Sequence, residues 1–204
     1  LKMQIDIKAL KAATQCAATK NIRYYLCRVL VEFTHKPDTA IVAATDGHIL
    51  FAGLATIAQD AGSAPVPEKG AQIIIPIDVC KKVKPTHKNN PFITLSQIGP
   101  QQWQLGDILF TPIDGKFPDW RRVVPRYADV HAAAQVPAYH QPELLTRALA
   151  ALRAYRDRPK LTPDLYQRGD NAAVMHDGTN ECVVVIMPCR PGEQKYQGLN
   201  ADFL

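Results

Sequence analysis

The sequence contains no run of 18 or more apolar residues, so nothing in it reads as a membrane-spanning helix. It contains no CxxC pair. Its five cysteines, Cys16, Cys27, Cys80, Cys182 and Cys189, are odd in number and scattered. That distribution argues against a disulfide framework, and for free thiols used as small apolar residues in a reducing cytoplasm. There is no GxSxG, no Walker A and no GxGxxG, which removes the signatures of a serine hydrolase, a P-loop NTPase and a dinucleotide enzyme. Six histidines, at 35, 48, 87, 131, 140 and 176, show neither HxH nor HxxxH spacing. No metal and no cofactor is expected. Leu1-Lys2-Met3-Gln4 carries no signal-peptide apolar core and is left outside the expected elements.

What remains is globular. The 204 residues are 47% hydrophobic and 21% charged, enough for one large or two small domains with real cores. A net charge of +5 permits a polyanionic partner without requiring one. Lys8 to Thr19 is Ala-rich and reads as a helix, with Leu10, Ala13 and Ala17 on one side and Lys8 and Lys11 on another. Residues 21 to 34 alternate as a strand, with Leu26, Arg28, Leu30 and Glu32 facing one way and Cys27, Val29, Val31 and Phe33 the other. Lys36-Pro37-Asp38 turns into a strand over Ala40 to Ala44. Asp46-Gly47 then turns into another over His48 to Thr56.

The order then recurs. Ile73-Ile74-Ile75 is a buried strand and Ile77 to Lys84 a helix whose apolar stripe is Val79, Cys80 and Val83, with Lys81 and Lys82 off it. Phe92 to Gln97, Gln102 to Leu105 and Ile108 to Pro112 are strands. Residues 132 to 137 are a strand candidate. A helix from Pro142 to about Tyr155 presents Leu144, Leu145, Ala148, Leu149, Leu152 and Tyr155 on one face, flanked by Arg147 and Arg153. Strands follow around Tyr166, over Ala172 to His176 and over Cys182 to Met187. Helix-plus-strands units therefore recur about three times, the helices starting about 65 to 68 residues apart. The expected fold class is α+β, with helices on one face of antiparallel sheets.

Four segments carry specific signals. Asp114-Gly115-Lys116-Phe117-Pro118-Asp119-Trp120-Arg121-Arg122-Val123-Val124-Pro125 joins a glycine turn, an extended X-Pro step, a large aromatic face and two arginines. On local physics alone it is a domain-closing turn with an aromatic plug. Ile22-Arg23-Tyr24-Tyr25-Leu26, Val42 to Leu50 and Val185-Ile186-Met187-Pro188-Cys189-Arg190 are the others. Asp46-Gly47-His48 on its own also admits acid–base chemistry or metal binding, which a zinc assay and mutation of His48 would expose.

Taken in order, the four segments resemble those of the bacterial sliding clamps, the beta subunit of DNA polymerase III. The resemblance implies a DNA-clamp fold, with residues 1–126 matching the middle domain and 127–204 about half of the last, followed by a tail over 191–204. It implies no enzyme activity. It implies a peptide-binding pocket formed by Leu26, Thr45, Gly47, His48, Leu50, Pro125, Val185, Met187, Pro188 and Arg190, which grips polymerases or repair proteins carrying clamp-binding peptides. It also implies non-specific contact with double-stranded DNA through Lys8, Lys11, Lys81, Lys82, Arg147 and Arg153, and through Arg23, Tyr24 and Tyr25. For each single cation a plain solvated helix face is the competing reading.

Two residues depart from the family pattern. Ile49 replaces an arginine expected at the pocket rim, and Cys189 replaces a methionine. A family ring has twelve units, so an odd unit in this chain points to a homo-oligomer. Four chains would complete a ring, and a dimer that does not encircle DNA is equally admissible. A regulator or decoy that binds peptides without encircling DNA is the alternative function. The end of the chain, with Gln197, Leu199, Phe203 and Leu204, faintly resembles a clamp-binding peptide, and its docking in the pocket is a further expectation.

Overall fold

A computed structural model describes residues 1–19, 26–59, 65–85, 90–125, 139–167 and 171–189. Among them the chain runs β1 (Lys2–Asp6), α1 (Ile7–Cys16), β2 (Arg28–Phe33), β3 (Thr39–Thr45) and β4 (Ile49–Ala58), then β5 (Gln72–Pro76), α2 (Ile77–Lys82), β6 (Phe92–Gln97), β7 (Trp103–Leu105) and β8 (Ile108–Phe110). A short 3-10 helix (Trp120–Val123) leads to α3 (Pro142–Arg156), β9 (Asp164–Tyr166), β10 (Ala173–His176) and β11 (Cys182–Ile186). The helices start at 7, 77 and 142, close to the sequence expectation.

The first correction is at the N-terminus. Lys2-Met3-Gln4-Ile5-Asp6 is a strand, antiparallel to both β4 and β6, with Met3 and Ile5 in the core. Its period-2 alternation is legible in the sequence, but so short a run at a chain end does not by itself announce a strand. Asp6 then caps α1, its carboxylate accepting from the Lys8 N–H at 2.8 Å. This sets the helix start at Ile7 rather than Lys8, and an extended Ala17 ends it before Thr19. The strand read from residue 21 begins at Arg28. The second helix stops at Lys82, two residues early.

The three α-helices among the described residues cover one face of a continuous antiparallel sheet in the order β5-β2-β3-β4-β1-β6-β7-β8, which β11, β10 and β9 extend through β4. β4 is long enough to pair with β3 along one edge and to serve two further partners along the other. Its first half pairs with β11, Gly53 opposite Cys182 and Ile49 opposite Ile186, and its far end pairs with β1. The large core lies between sheet and helices. It includes Val29, Val31 and Phe33 of β2 and Phe51 of β4. The opposite residues, Leu30, Ala43, Ala52 and Ile74, form a small core on the outer face beneath Phe117, with Ile113 and Trp120 packed against it. The alternation read for β2 is therefore the observed one, and the Phe117–Trp120 segment is the lid of the outer face.

Along α3 the buried positions are Leu144, Ala148, Ala151 and Leu152. Ala151 takes the place expected for Leu149, which is only half-buried. Alanines on α3 and on α1, where Ala9, Ala12 and Ala13 are fully buried, let the two helices lie against each other with short side chains between them. The five thiols are free. Burial pushes the Cys80 and Cys182 thiols up to about 12, and Cys16 still higher, so these three serve as apolar filler.

Two features weld β11 and β10 onto the rest. At Gly53 an added Cβ would lie 2.7 Å from Phe51 Cζ, 3.0 Å from Tyr155 Cε2 and 3.1 Å from Cys182 Cβ. That space admits the Tyr155 ring, whose hydroxyl donates to the Leu54 carbonyl at 2.7 Å. Gly53→Ala is expected to lower stability by about 1–3 kcal/mol, the usual cost of overpacking a filled core, as read by urea denaturation. The second feature is Arg156, whose guanidinium bonds Asp177 and Thr179 and reaches Glu181 at 2.6 Å, fixing the β10–β11 turn to the end of α3.

Burial alone raises the Asp177 pKa, but the hydrogen bonds from Arg156 and Thr179 outweigh it and hold the carboxyl below its ordinary 3.8. A depressed carboxyl contributes stability above its unfolded pKa and loses it as pH falls through the folded value. Asp177→Asn is therefore expected to cost about 1–2 kcal/mol at pH 7. The gap to the wild type should close as the pH drops below the ordinary carboxylate range, measured by denaturation at a series of pH values.

Candidate functional site

The turn between β3 and β4 is built by its own side chains. Thr45 Oγ1 donates to the Ile49 carbonyl at 2.8 Å and accepts from the Gly47 N–H at 3.0 Å. Asp46 Oδ1 accepts from the His48 and Ile49 N–H groups at 2.8 and 3.0 Å. Gly47 sits at φ 95°, a conformation that L side chains rarely adopt. The Thr-Asp-Gly-His order thus specifies a rigid turn, with Asp46 as its brace rather than a free acid.

The end of β11 lies beside this turn. Val185 pairs with Leu50, and the Met187 N–H donates to the His48 carbonyl at 2.8 Å. A cavity of about 200 Å³ opens at the junction. Of the residues expected in a pocket, Leu26, Thr45, Gly47, His48, Leu50, Val185 and Met187 line it. Pro125 does not; it lines a neighbouring groove. Pro188 is half-buried just beyond Met187 and is not on the lining, and Arg190 falls outside the described residues. Ile49 borders the cavity, yet it is only 1% exposed and belongs to the helix-side core. The alternation of β4 puts it with Phe51, so the departure at this position alters core packing rather than a rim charge.

The opposite wall was missed by sequence reasoning. Pro118, Asp119, Trp120 and Val123 supply it. The segment read as an aromatic plug does cover the outer core, and it also faces the cavity. Arg121 stacks over the Trp120 ring, 4.3 Å from its centroid, and pairs with Glu32 at 2.5 Å. Glu32 in turn accepts from Gln72. The Trp-Arg-Arg order was visible, but the distant carboxylate that fixes it was not. Trp120 Nε1 is buried and donates to no group among the described residues.

On the helix side the expected cations separate into two groups. Arg147 is engaged within the fold. It pairs with Asp46 Oδ2 at 2.5 Å, donates through Nε to the Gln15 carbonyl at 2.8 Å and through Nη2 to the Ala17 carbonyl at 3.4 Å. Arg153 donates to the Leu161 carbonyl, and Lys8 lies 3.7 Å from Asp157. Lys11, Lys81 and Lys82 are exposed. Lys11, Lys81 and Arg147 border one polar cavity of about 720 Å³ that His48 also reaches from its far side. Arg23, Tyr24, Tyr25 and the chain end over 190–204 lie outside the described residues. Among the described residues no His, Cys, Asp and Glu cluster could hold a metal ion, and no helix is long and apolar enough to cross a membrane.

No family model matches the sequence. Over 138 residues it is 35% identical to the beta sliding clamp of Escherichia coli K12, an alignment that covers 64% of this chain and 35% of that protein. The beta sliding clamp of Proteus mirabilis is 35% identical over 129 residues, covering 60% of this chain and 33% of the relative. The chain thus spans about a third of the length of these relatives. Among solved structures, an H. pylori beta clamp in complex with diflunisal superposes with a TM-score of 0.67 at 12% identity, over 93% of this chain and 66% of that one. A DNA polymerase sliding clamp from Bacillus subtilis gives 0.65 at 14%, over 94% and 65%. At these identities the structural likeness speaks for the fold.

Proposed function

Because this chain is a homologue of the bacterial beta sliding clamps and has their fold, we propose that it works as a non-catalytic clamp-like processivity factor, tethering DNA polymerase or repair proteins to DNA by their short apolar peptides. The carrying observation is the hydrogen bond from the Met187 N–H to the His48 carbonyl, which closes one apolar cavity from segments more than a hundred residues apart. Leu50, Val185 and Met187 supply the greasy surface that an anchor leucine or phenylalanine needs, and a methionine wall repacks around different anchors. A fluorescein-labelled Gln-Leu-Ser-Leu-Phe peptide is expected to bind with saturable anisotropy; a linear, non-saturating signal counts against the pocket.

For DNA, the reading is sequence-independent contact by Lys11, Lys81 and Lys82, weakening with salt. Self-association is part of the proposal. β8 has no strand beyond it among the described residues, and Leu109 on it is 55% exposed. Native mass spectrometry should find two or more chains, and a strict monomer rules out a ring. A second reading, a peptide-binding module that never encircles DNA, is favoured by the engagement of Arg147 and Arg153 inside the fold. Retention on a nicked circle with loss on a cut one supports the ring. Co-migration with neither supports the module.

A further inference from the structure

The last described residues lie beside the cavity. Met187 lines it, and two residues later the Cys189 N–H donates to the Tyr139 carbonyl at 2.8 Å, which fixes where the chain leaves. Residues 190–204 follow. Their charges cancel, Arg190 and Lys195 against Glu193 and Asp202, so apolar contact is what they can offer. Pro191-Gly192 is a turn signal, which sends the chain back over the surface it has just left. Leu199 and Phe203 then stand four apart among Gln, Gly, Asn, Ala and Asp. The cavity itself is about 200 Å³, below the roughly 300 Å³ at which sites take a whole small ligand, so it suits one anchoring side chain. Leu50, Val185 and Met187 make its wall apolar, and Val123 opposite them is 42% exposed.

We propose that residues 191–204 turn back in cis and seat Phe203 in this cavity, with Leu199 at its rim, so that the chain's own tail holds the peptide site until a partner's peptide displaces it. This rests on the cavity being a peptide site. Reach does not limit the contact. Phe203 follows Met187 by 16 residues, a tether that spans up to about 50 Å when extended, and Met187 is already in the wall. A short flexible tether holds its far end at an effective concentration of about 1 mM. A tail segment of only about 100 μM intrinsic affinity then fills about nine-tenths of the sites and weakens every incoming peptide about tenfold. A partner therefore wins the site only with a tighter peptide or a high local concentration.

The test titrates the labelled Gln-Leu-Ser-Leu-Phe peptide against three proteins: the whole chain, a protein lacking residues 191–204, and a double variant carrying Phe203→Ser and Leu204→Ser. Both altered proteins should bind the peptide about tenfold tighter than the whole chain. With no peptide present, the Met187 methyl resonance should move in both, and in the whole chain it should not change on dilution. Equal peptide affinity in all three proteins, or a Met187 resonance untouched by the serine substitutions, overturns the docked tail and leaves the peptide site standing. A whole-chain Met187 resonance that shifts on dilution assigns the tail to a neighbouring copy and overturns docking in cis. A protein lacking residues 191–204 that binds no peptide overturns the peptide site itself, and this proposal with it.

Discussion

Met187→Asp should lower affinity for the Gln-Leu-Ser-Leu-Phe peptide by about 100-fold or more while leaving the fold intact. Met187 follows the end of β11, is half-buried, and lines the cavity between His48 and Val185. Its main-chain N–H, which holds the His48 carbonyl, is untouched by the change. The substitution removes apolar wall and sets a carboxylate where an apolar anchor must be desolvated, a penalty of about 2.7 kcal/mol or more for a central contact. Thermal denaturation should move little. A variant that binds like the wild type would remove Met187 from the site.

Arg147→Ala should destabilise the protein by about 2–4 kcal/mol, as expected when one partner of a partly buried ion pair is deleted. Three bonds disappear together. Asp46, which braces the Thr45–Ile49 turn, loses its counter-ion, and the Gln15 and Ala17 carbonyls at the end of α1 lose their donors. Peptide affinity should fall as well, because that turn is a wall of the cavity. By contrast Lys81→Ala, on an exposed face of α2, should alter stability by no more than about 0.5 kcal/mol. If DNA is bound, it should flatten the logarithmic salt dependence by about 0.9 for each phosphate that Lys81 neutralises. Denaturation midpoints and salt titrations of the two variants separate the roles. A combined Asp46→Ala, Arg147→Ala protein should show non-additive losses.

The fold was legible where side chains repeat with a period. Strand alternation in β2 placed Val29, Val31 and Phe33 on the correct face, and the glycine turn at Asp46-Gly47 marked the correct hairpin. The convergence of Leu26, His48 and Met187 was legible only through the order of four segments. What escaped was pairwise and long-range. Arg147 and Asp46 are 101 residues apart, and Arg121 and Glu32 are 89 apart. Neither pair leaves a periodic trace, so an arginine that staples two helices looked the same as one facing solvent. Trp120 was seen as bulk but not as a wall, because its role depends on which sheet face the segment crosses.

Methionine methyl NMR tests the central claim most directly. The chain has three methionines. Met3 and Met175 are 1% and 7% exposed, and both belong to the helix-side core, whereas Met187 lies in the cavity. Titrating the Gln-Leu-Ser-Leu-Phe peptide into methyl-labelled protein should shift the Met187 resonance and leave the other two in place. A spectrum in which Met187 stays fixed at saturating peptide would contradict the account.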